Sequence, residues 1–122
     1  MEDDFEDAYE AYKTEAAEIL TCMRRCYETL KERSDVDALN EIARSSHKLK
    51  GVAGMMDYSH IEELAKEMEL VSKLLANRKA KLKPETLSVL LEAFALLTKY
   101  IKTNFDESDP AVLGKLRKLG TV

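Results

Sequence analysis

The chain is poor in residues that interrupt helices, with 2 prolines and 4 glycines among 122 residues. Alanine, leucine, glutamate and lysine, all good helix formers, are abundant instead. The length suits one domain with its own hydrophobic core and is short for two. These features predict a single all-α domain over residues 1–122.

Cysteine and histidine are also scarce, with 2 of each. Cys22 and Cys26 stand four residues apart on a predicted helix, without the further ligands that a zinc site needs. We interpret them as reduced thiols in or beside the core. A carboxylate-bridged metal bundle requires Glu-x-x-His pairs, and here Arg44 and Asp57 stand three residues before the two histidines. No metal site is therefore expected.

Long apolar runs and a surplus of positive charge are lacking as well. No apolar run approaches the roughly 20 residues that cross a bilayer, and no signal-peptide pattern follows Met1. The net charge of −4 argues against nucleic-acid binding, which depends on a basic surface. We expect a cytoplasmic protein that binds neither membranes nor nucleic acids and is a monomer in isolation.

Apolar residues recur at helical spacing in five segments. They predict helices over roughly residues 5–32, 36–56, 59–76, 84–104 and 110–119. Asp35 is a candidate cap for the second helix, and Ser59 with Glu62 forms a candidate capping box for the third. Long helices with short connections pack as antiparallel neighbours. The expected fold is an antiparallel four-helix bundle with an additional short C-terminal helix.

One helical stripe departs from an ordinary bundle. His47, Lys50, Gly51 and Gly54 are spaced i, i+3, i+4 and i+7, so they share one face of the second helix. A glycine inside a helix costs about 1 kcal/mol relative to alanine. That cost is tolerated where something must approach the backbone closely. The stripe therefore predicts an imidazole that is displayed to a partner.

The surroundings of this histidine are basic, although the chain as a whole is acidic. Arg44, Lys48 and Lys50 flank His47, and no acidic residue occurs in positions 42–56. Such a local excess of positive charge favours an anion at the histidine face. The alternative is that these side chains are only a solvated basic surface.

A carboxylate on the third helix is placed to orient the imidazole. His47 lies eleven residues before Tyr58 and Glu69 lies eleven after it. Each residue of a helix rises about 1.5 Å, so in an antiparallel hairpin the two residues lie at the same height along the helix axes. Whether their side chains face each other depends on how the two helices are rotated. If Glu69 accepts the Nδ1 proton, Nε2 keeps its lone pair and can attack a phosphoryl group. Lys50, one turn away, would then steady the phosphoryl oxygens.

The segment 47–54, which reads His-Lys-Leu-Lys-Gly-Val-Ala-Gly, resembles the signature of histidine-containing phosphotransfer (HPt) domains. It is similar in particular to the N-terminal phosphoacceptor domain of the chemotaxis histidine kinase CheA. The match continues without a gap to Glu69, where the family places the glutamate that bonds its histidine. The resemblance implies that His47 accepts a phosphoryl group from an ATP-dependent kinase domain. It also implies that His47 passes this group to an aspartate of a CheY-like response regulator.

The resemblance further implies the roles of the site residues. Glu69 would orient and activate His47, and Lys50 would contact the phosphoryl group. Four residues around the histidine would meet the partner proteins: Lys48, Gly51, Gly54 and Arg44. No cofactor is expected in this domain, because ATP and Mg²⁺ would bind to the partner kinase domain. Without a glycine-rich phosphate loop, the chain is expected to be a carrier and no enzyme by itself. It would be either a module of a CheA-type kinase or a free-standing transfer protein.

Three positions depart from the family pattern. Lys66 stands where some relatives of CheA have a second histidine, Val52 is bulkier than the usual small residue, and Asp57 replaces a frequent glycine. Each change is a candidate determinant of partner choice. The other histidine, His60, lies in the first turn of the third helix without a neighbouring lysine-glycine motif, and is expected at the surface.

A function of another class is a non-catalytic helical adaptor that docks a partner on an exposed face of the bundle. Glycines beside a histidine argue against it, because interface hot spots prefer larger side chains. Exposure of the imidazole discriminates between the two. A buried and fully hydrogen-bonded His47 would favour the adaptor.

Overall fold

The computed structural model describes residues 2–79, 81–103 and 109–121. Over these ranges the chain forms five α-helices and no strand. They are α1 (Glu2–Glu32), α2 (Val36–Met55), α3 (Ser59–Arg78), α4 (Pro84–Thr103) and α5 (Pro110–Thr121). Helices α1 to α4 close a ring in which each packs against the next and α4 packs against α1, while α5 lies on α3 and α4. The predicted all-α bundle with an additional C-terminal helix is confirmed.

The ends of the helices lie near the predicted positions, with small differences. Helix α1 begins at Glu2, a few residues before the expected start, and α3 continues to Arg78. Helix α5 runs to Thr121 and so passes through Gly120. The expected end of α4 at residue 104 lies outside the described residues.

Helices α2 and α3 begin in different ways. Asp35 is the N-cap of α2, with an extended backbone, and its carboxylate accepts a 2.9 Å hydrogen bond from the backbone N–H three residues on. At α3 the N-cap is Tyr58, whose side chain makes no capping hydrogen bond. The capping-box prediction for Ser59 and Glu62 is therefore wrong. Ser59 is already helical, and the Glu62 carboxylate lies against Gly54 of α2 instead.

The turn between α2 and α3 is a Schellman-type C-cap. Tyr58 N–H donates to the carbonyl of Ala53 at 2.9 Å, and Asp57 N–H donates to the carbonyl of Gly54 at 3.1 Å. Asp57 adopts a left-handed conformation with φ of 59°, a region that glycine enters without strain. Asp57, which replaces a frequent glycine, therefore places a side chain on a backbone conformation that suits glycine.

The apolar faces of α2 and α3 meet in the core and fix how both helices are rotated. On α2, Leu49 is 0% exposed, and burying such a side chain stabilises the fold by about 1.5–3 kcal/mol. Rotating α2 would expose Leu49 and is therefore costly. The core thus holds His47, two residues earlier, at the edge of the α2–α3 interface. Among the apolar residues of these two helices and the turn between them, Val52, Met56 and Leu75 are only partly buried.

Among the described residues, no helix is long and apolar enough to cross a membrane. The same part of the chain contains no group of three or more histidine, cysteine, aspartate or glutamate side chains that could hold a metal ion.

Candidate functional site

Two contacts establish the register of the α2–α3 hairpin. His47 and Glu69, eleven residues on either side of Tyr58, are joined by a hydrogen bond. Gly54 and Glu62, four residues on either side of Tyr58, are also in contact. Both pairs are symmetric about the same residue, so the helices run antiparallel without a shift. The helix rotation that sequence spacing left open brings His47 and Glu69 face to face.

His47 combines an exposed ring with a buried partner. Its side chain is 64% exposed, and Nδ1 lies 3.0 Å from Oε2 of Glu69, whose side chain is 6% exposed. An ionised carboxylate only accepts hydrogen bonds, so we assign the proton to Nδ1 of His47. Nε2 then carries the lone pair. The arrangement holds the ring in one tautomer and leaves its other nitrogen as a nucleophile.

Glu69 is held as a carboxylate by two lysines. Lys50 Nζ donates to Oε1 at 3.0 Å, and Lys73 Nζ lies 3.0 Å from Oε2. Burial by itself raises the pKa of Glu69, but the hydrogen bonds and charges of the two lysines outweigh it and lower the pKa to about 2. Glu69 is therefore negatively charged at neutral pH and can balance positive charge on the imidazole.

Lys73 is a site residue that the sequence analysis missed. It lies four residues after Glu69 on α3, and a glutamate followed by a lysine at this spacing is the favoured orientation of a helical ion pair. That signal was present in the sequence. Lys73 reaches the site from α3 and therefore lies outside the motif of α2.

Lys50 lies beside the histidine as the motif implies, but its ammonium group is engaged with Glu69. Its side chain is 32% exposed, about half the exposure of Lys73 at 59%. In this arrangement Lys50 neutralises the carboxylate that orients His47. Its contact with a phosphoryl group stays a prediction.

The residues expected to meet partners differ in their surroundings. Arg44 and Lys48 are exposed, and Arg44 forms an ion pair of 2.6 Å with Glu41, which offsets its charge. Gly51 is exposed, with open space where a Cβ would lie, so another molecule can approach the backbone there. At Gly54 the Glu62 carboxylate occupies that space, which gives this glycine a role in packing α3 against α2.

Two further residues of α3, Lys66 and His60, differ in their exposure. Lys66 is exposed. The prediction of a surface histidine at position 60 is wrong, because His60 is half-buried and its ring packs edge-on against Tyr100 at 4.9 Å. Tyr100 comes from α4, which sequence patterns alone did not place over the first turn of α3.

Comparisons with known proteins identify the family and the fold. The family model of the Hpt domain matches residues 7–102. Among solved structures, the chain is similar to the phosphorylated P1 domain of CheA3 in complex with CheY6 from R. sphaeroides, with a TM-score of 0.77 and 21% sequence identity. That superposition covers 94% of this chain and 97% of the P1 chain, and it shows a common fold. No curated protein sequence matches the chain.

The family match includes α2 and α3 in full and α4 up to residue 102, with His47 and Glu69 inside it. The hairpin holds the exposed imidazole of His47 against the buried carboxylate of Glu69. The chain belongs to the Hpt domain family, the histidine-containing phosphotransfer domains.

Proposed function

We propose that His47 accepts a phosphoryl group at Nε2 from an ATP-dependent kinase domain and passes it to an aspartate of a CheY-like response regulator. The observation that carries this proposal is the 3.0 Å contact between Nδ1 of an exposed His47 and the buried Glu69 carboxylate. It leaves Nε2 as the one ring nitrogen with a lone pair, on a side chain that a partner can reach.

The chemistry follows from this tautomer. The Nε2 lone pair attacks the γ-phosphorus of ATP, the Nε2–P bond forms, and the bond from phosphorus to the bridging oxygen breaks as ADP leaves. The Nδ1 proton stays on the ring, which becomes cationic. Glu69 is already ionised and in place, so it stabilises this developing charge without rearranging. When an aspartate oxygen attacks the phosphorus, the bonding pair returns to Nε2.

The proposed partners supply what this chain lacks. ATP and Mg²⁺ would be bound by the kinase domain, and the chain would act as a carrier between two proteins. The similar P1 domain is found in complex with CheY6, which supports a CheY-like regulator as the receiver. Such a carrier works where ATP is available, which supports a cytoplasmic location. It would serve either as a module of a CheA-type kinase or as a free-standing transfer protein.

The adaptor alternative is disfavoured by the exposure of the histidine. An adaptor would give no reason for an imidazole that is 64% exposed and tied by one nitrogen to a buried carboxylate.

Phosphate incorporation tests the proposal. Wild-type protein, His47→Gln and the control His60→Gln would be incubated with labelled ATP and a CheA-type kinase core. We expect acid-labile, alkali-stable label on the wild type and on the control, with none on His47→Gln and no change in its circular dichroism. Label retained by His47→Gln would refute the assignment. So would the absence of label on the wild type with several kinase cores and with phosphoramidate.

A further inference from the structure

The positive charge around Glu69 exceeds the single negative charge of its carboxylate. One carboxylate contacts two ammonium groups, Lys50 on Oε1 and Lys73 on Oε2, as well as Nδ1 of a neutral His47. Counting only these groups, the site carries one surplus positive charge. Transfer of a PO₃⁻ unit to Nε2 adds one negative charge in total. The phosphorylated site would therefore be neutral, which suggests that the surplus lysine serves the phosphoryl group.

The two lysines are held differently. Lys73 is 59% exposed and shares Oε2 with His47, whereas Lys50 is 32% exposed and has Oε1 to itself. When the ring becomes cationic, its Nδ1–H supplies Oε2 with a charged donor of its own. Lys73 is then no longer needed to balance Glu69. Its long and exposed side chain can then leave the carboxylate, because the cationic Nδ1–H takes its place at Oε2.

Lys73 also lies beside other cations that would face a phosphoryl group on His47. It lines an open depression beside His47 together with Arg44 and Lys48 of α2. The charged groups that face this depression are Arg44, which is paired with Glu41, and Lys48 from α2, with Glu69 and Lys73 from α3. Lys50 adds a further cation at the other oxygen of Glu69.

We propose that Lys73 is a second phosphoryl-binding cation, which pairs with Glu69 before phosphorylation and moves to the phosphoryl oxygens on His47 afterwards. This inference rests on the proposed function and assigns to α3 a phosphoryl contact that the motif of α2 does not contain. Lys73 donates hydrogen bonds to the oxygens and forms no covalent bond. Glu69 keeps Lys50 and the ring Nδ1–H as its partners.

The position of the phosphorylation equilibrium tests the proposal. With a CheA-type kinase core and fixed ATP and ADP, the constant [phosphorylated chain][ADP]/[free chain][ATP] does not depend on how well the kinase docks. Lys73→Met would be compared with Lys73→Arg, which keeps the charge, and with Lys99→Met, which removes an exposed lysine of α4. We expect Lys73→Met to lower the constant about threefold to tenfold. Lys73→Arg should restore most of it, and Lys99→Met should leave it unchanged.

A second readout separates phosphoryl contact from support of Glu69. The ¹⁵N spectrum of His47 in unphosphorylated Lys73→Met should still show the Nδ1–H tautomer, because Lys50 continues to hold Glu69. Equal equilibrium constants for Lys73→Met and Lys99→Met would overturn the inference alone. A lower constant accompanied by loss of that tautomer would overturn it in favour of a supporting role. No label on the wild type or on Lys99→Met would overturn the proposed function as well.

Discussion

The ionisation of Glu69 gives the sharpest quantitative prediction, which Glu69→Gln tests through the pH dependence of stability. Lys50 and Lys73 lower the pKa of this buried carboxylate from an ordinary value of 4.5 to about 2, against the effect of burial. Below pH 4.5 the unfolded chain therefore binds a proton at this position more readily than the folded chain. The contribution of Glu69 to stability is complete above about pH 4.5 and is lost as the pH falls towards 2.

The size of this contribution follows from the difference between the two pKa values. At about 1.4 kcal/mol per pH unit, lowering the pKa from 4.5 to about 2 corresponds to about 3 kcal/mol of unfolding free energy. This is a large share of the roughly 5–15 kcal/mol that stabilises a typical domain. Glu69→Gln removes the titrating carboxylate. The unfolding free energy of this variant should therefore lack the contribution of about 3 kcal/mol at every pH.

Urea unfolding followed by circular dichroism, at intervals from pH 6 to pH 2.5, measures the term directly. We expect wild-type protein to be the more stable at pH 6 and to lose most of about 3 kcal/mol of that advantage over Glu69→Gln by pH 2.5. Glu92→Gln, which removes an exposed carboxylate paired with Lys115, controls for the loss of one surface charge. If wild-type protein and Glu69→Gln lose stability in parallel over this range, the lysines do not hold Glu69 ionised.

Four further predictions concern the cap of α2, the turn between α2 and α3, and the exposed surface at Gly51. Gly51→Ala should raise the unfolding free energy by about 0.5–1 kcal/mol, because the Cβ meets open space in a helix. Gly51→Leu should slow phosphorylation by a kinase core but not by phosphoramidate, and equal slowing with both donors would contradict a role in partner approach. Asp57→Gly should stabilise the protein by up to about 1 kcal/mol in thermal unfolding, since φ of 59° suits glycine, and a lower melting temperature would show that the aspartate has a compensating contact. Asp35→Ala should cost about 1 kcal/mol in urea unfolding by removing the cap of α2, with no loss expected if water replaces the carboxylate.

Local patterns were sufficient to predict the bundle. Apolar spacing identified the five helices, and Asp35 identified the start of α2 because its capping bond connects residues only three apart. The start of α3 was misread for a related reason. Ser59 and Glu62 have the spacing of a capping box, but the hairpin register places the Glu62 carboxylate against Gly54, a tertiary contact that local spacing does not contain.

The sequence predicts at which height along the hairpin the site lies, but it does not predict all of the contacts in the site. Equal distances from Tyr58 placed His47 and Glu69 together along the hairpin, whereas the rotation that turns them face to face depends on the burial of residues such as Leu49. The engagement of Lys50 with Glu69 likewise depends on this rotation. Lys73 could have been found from its spacing to Glu69, and was the one contact that sequence reasoning had the means to predict but did not.

The nitrogen that carries the phosphoryl group tests the central claim most directly. Protein labelled with ¹⁵N at histidine and phosphorylated by a kinase core or by phosphoramidate would be examined for coupling between ³¹P and the ring nitrogens. The account predicts coupling to Nε2 of His47, with the proton retained on Nδ1 beside Glu69. Coupling to Nδ1 of His47, or to either ring nitrogen of His60, would contradict it.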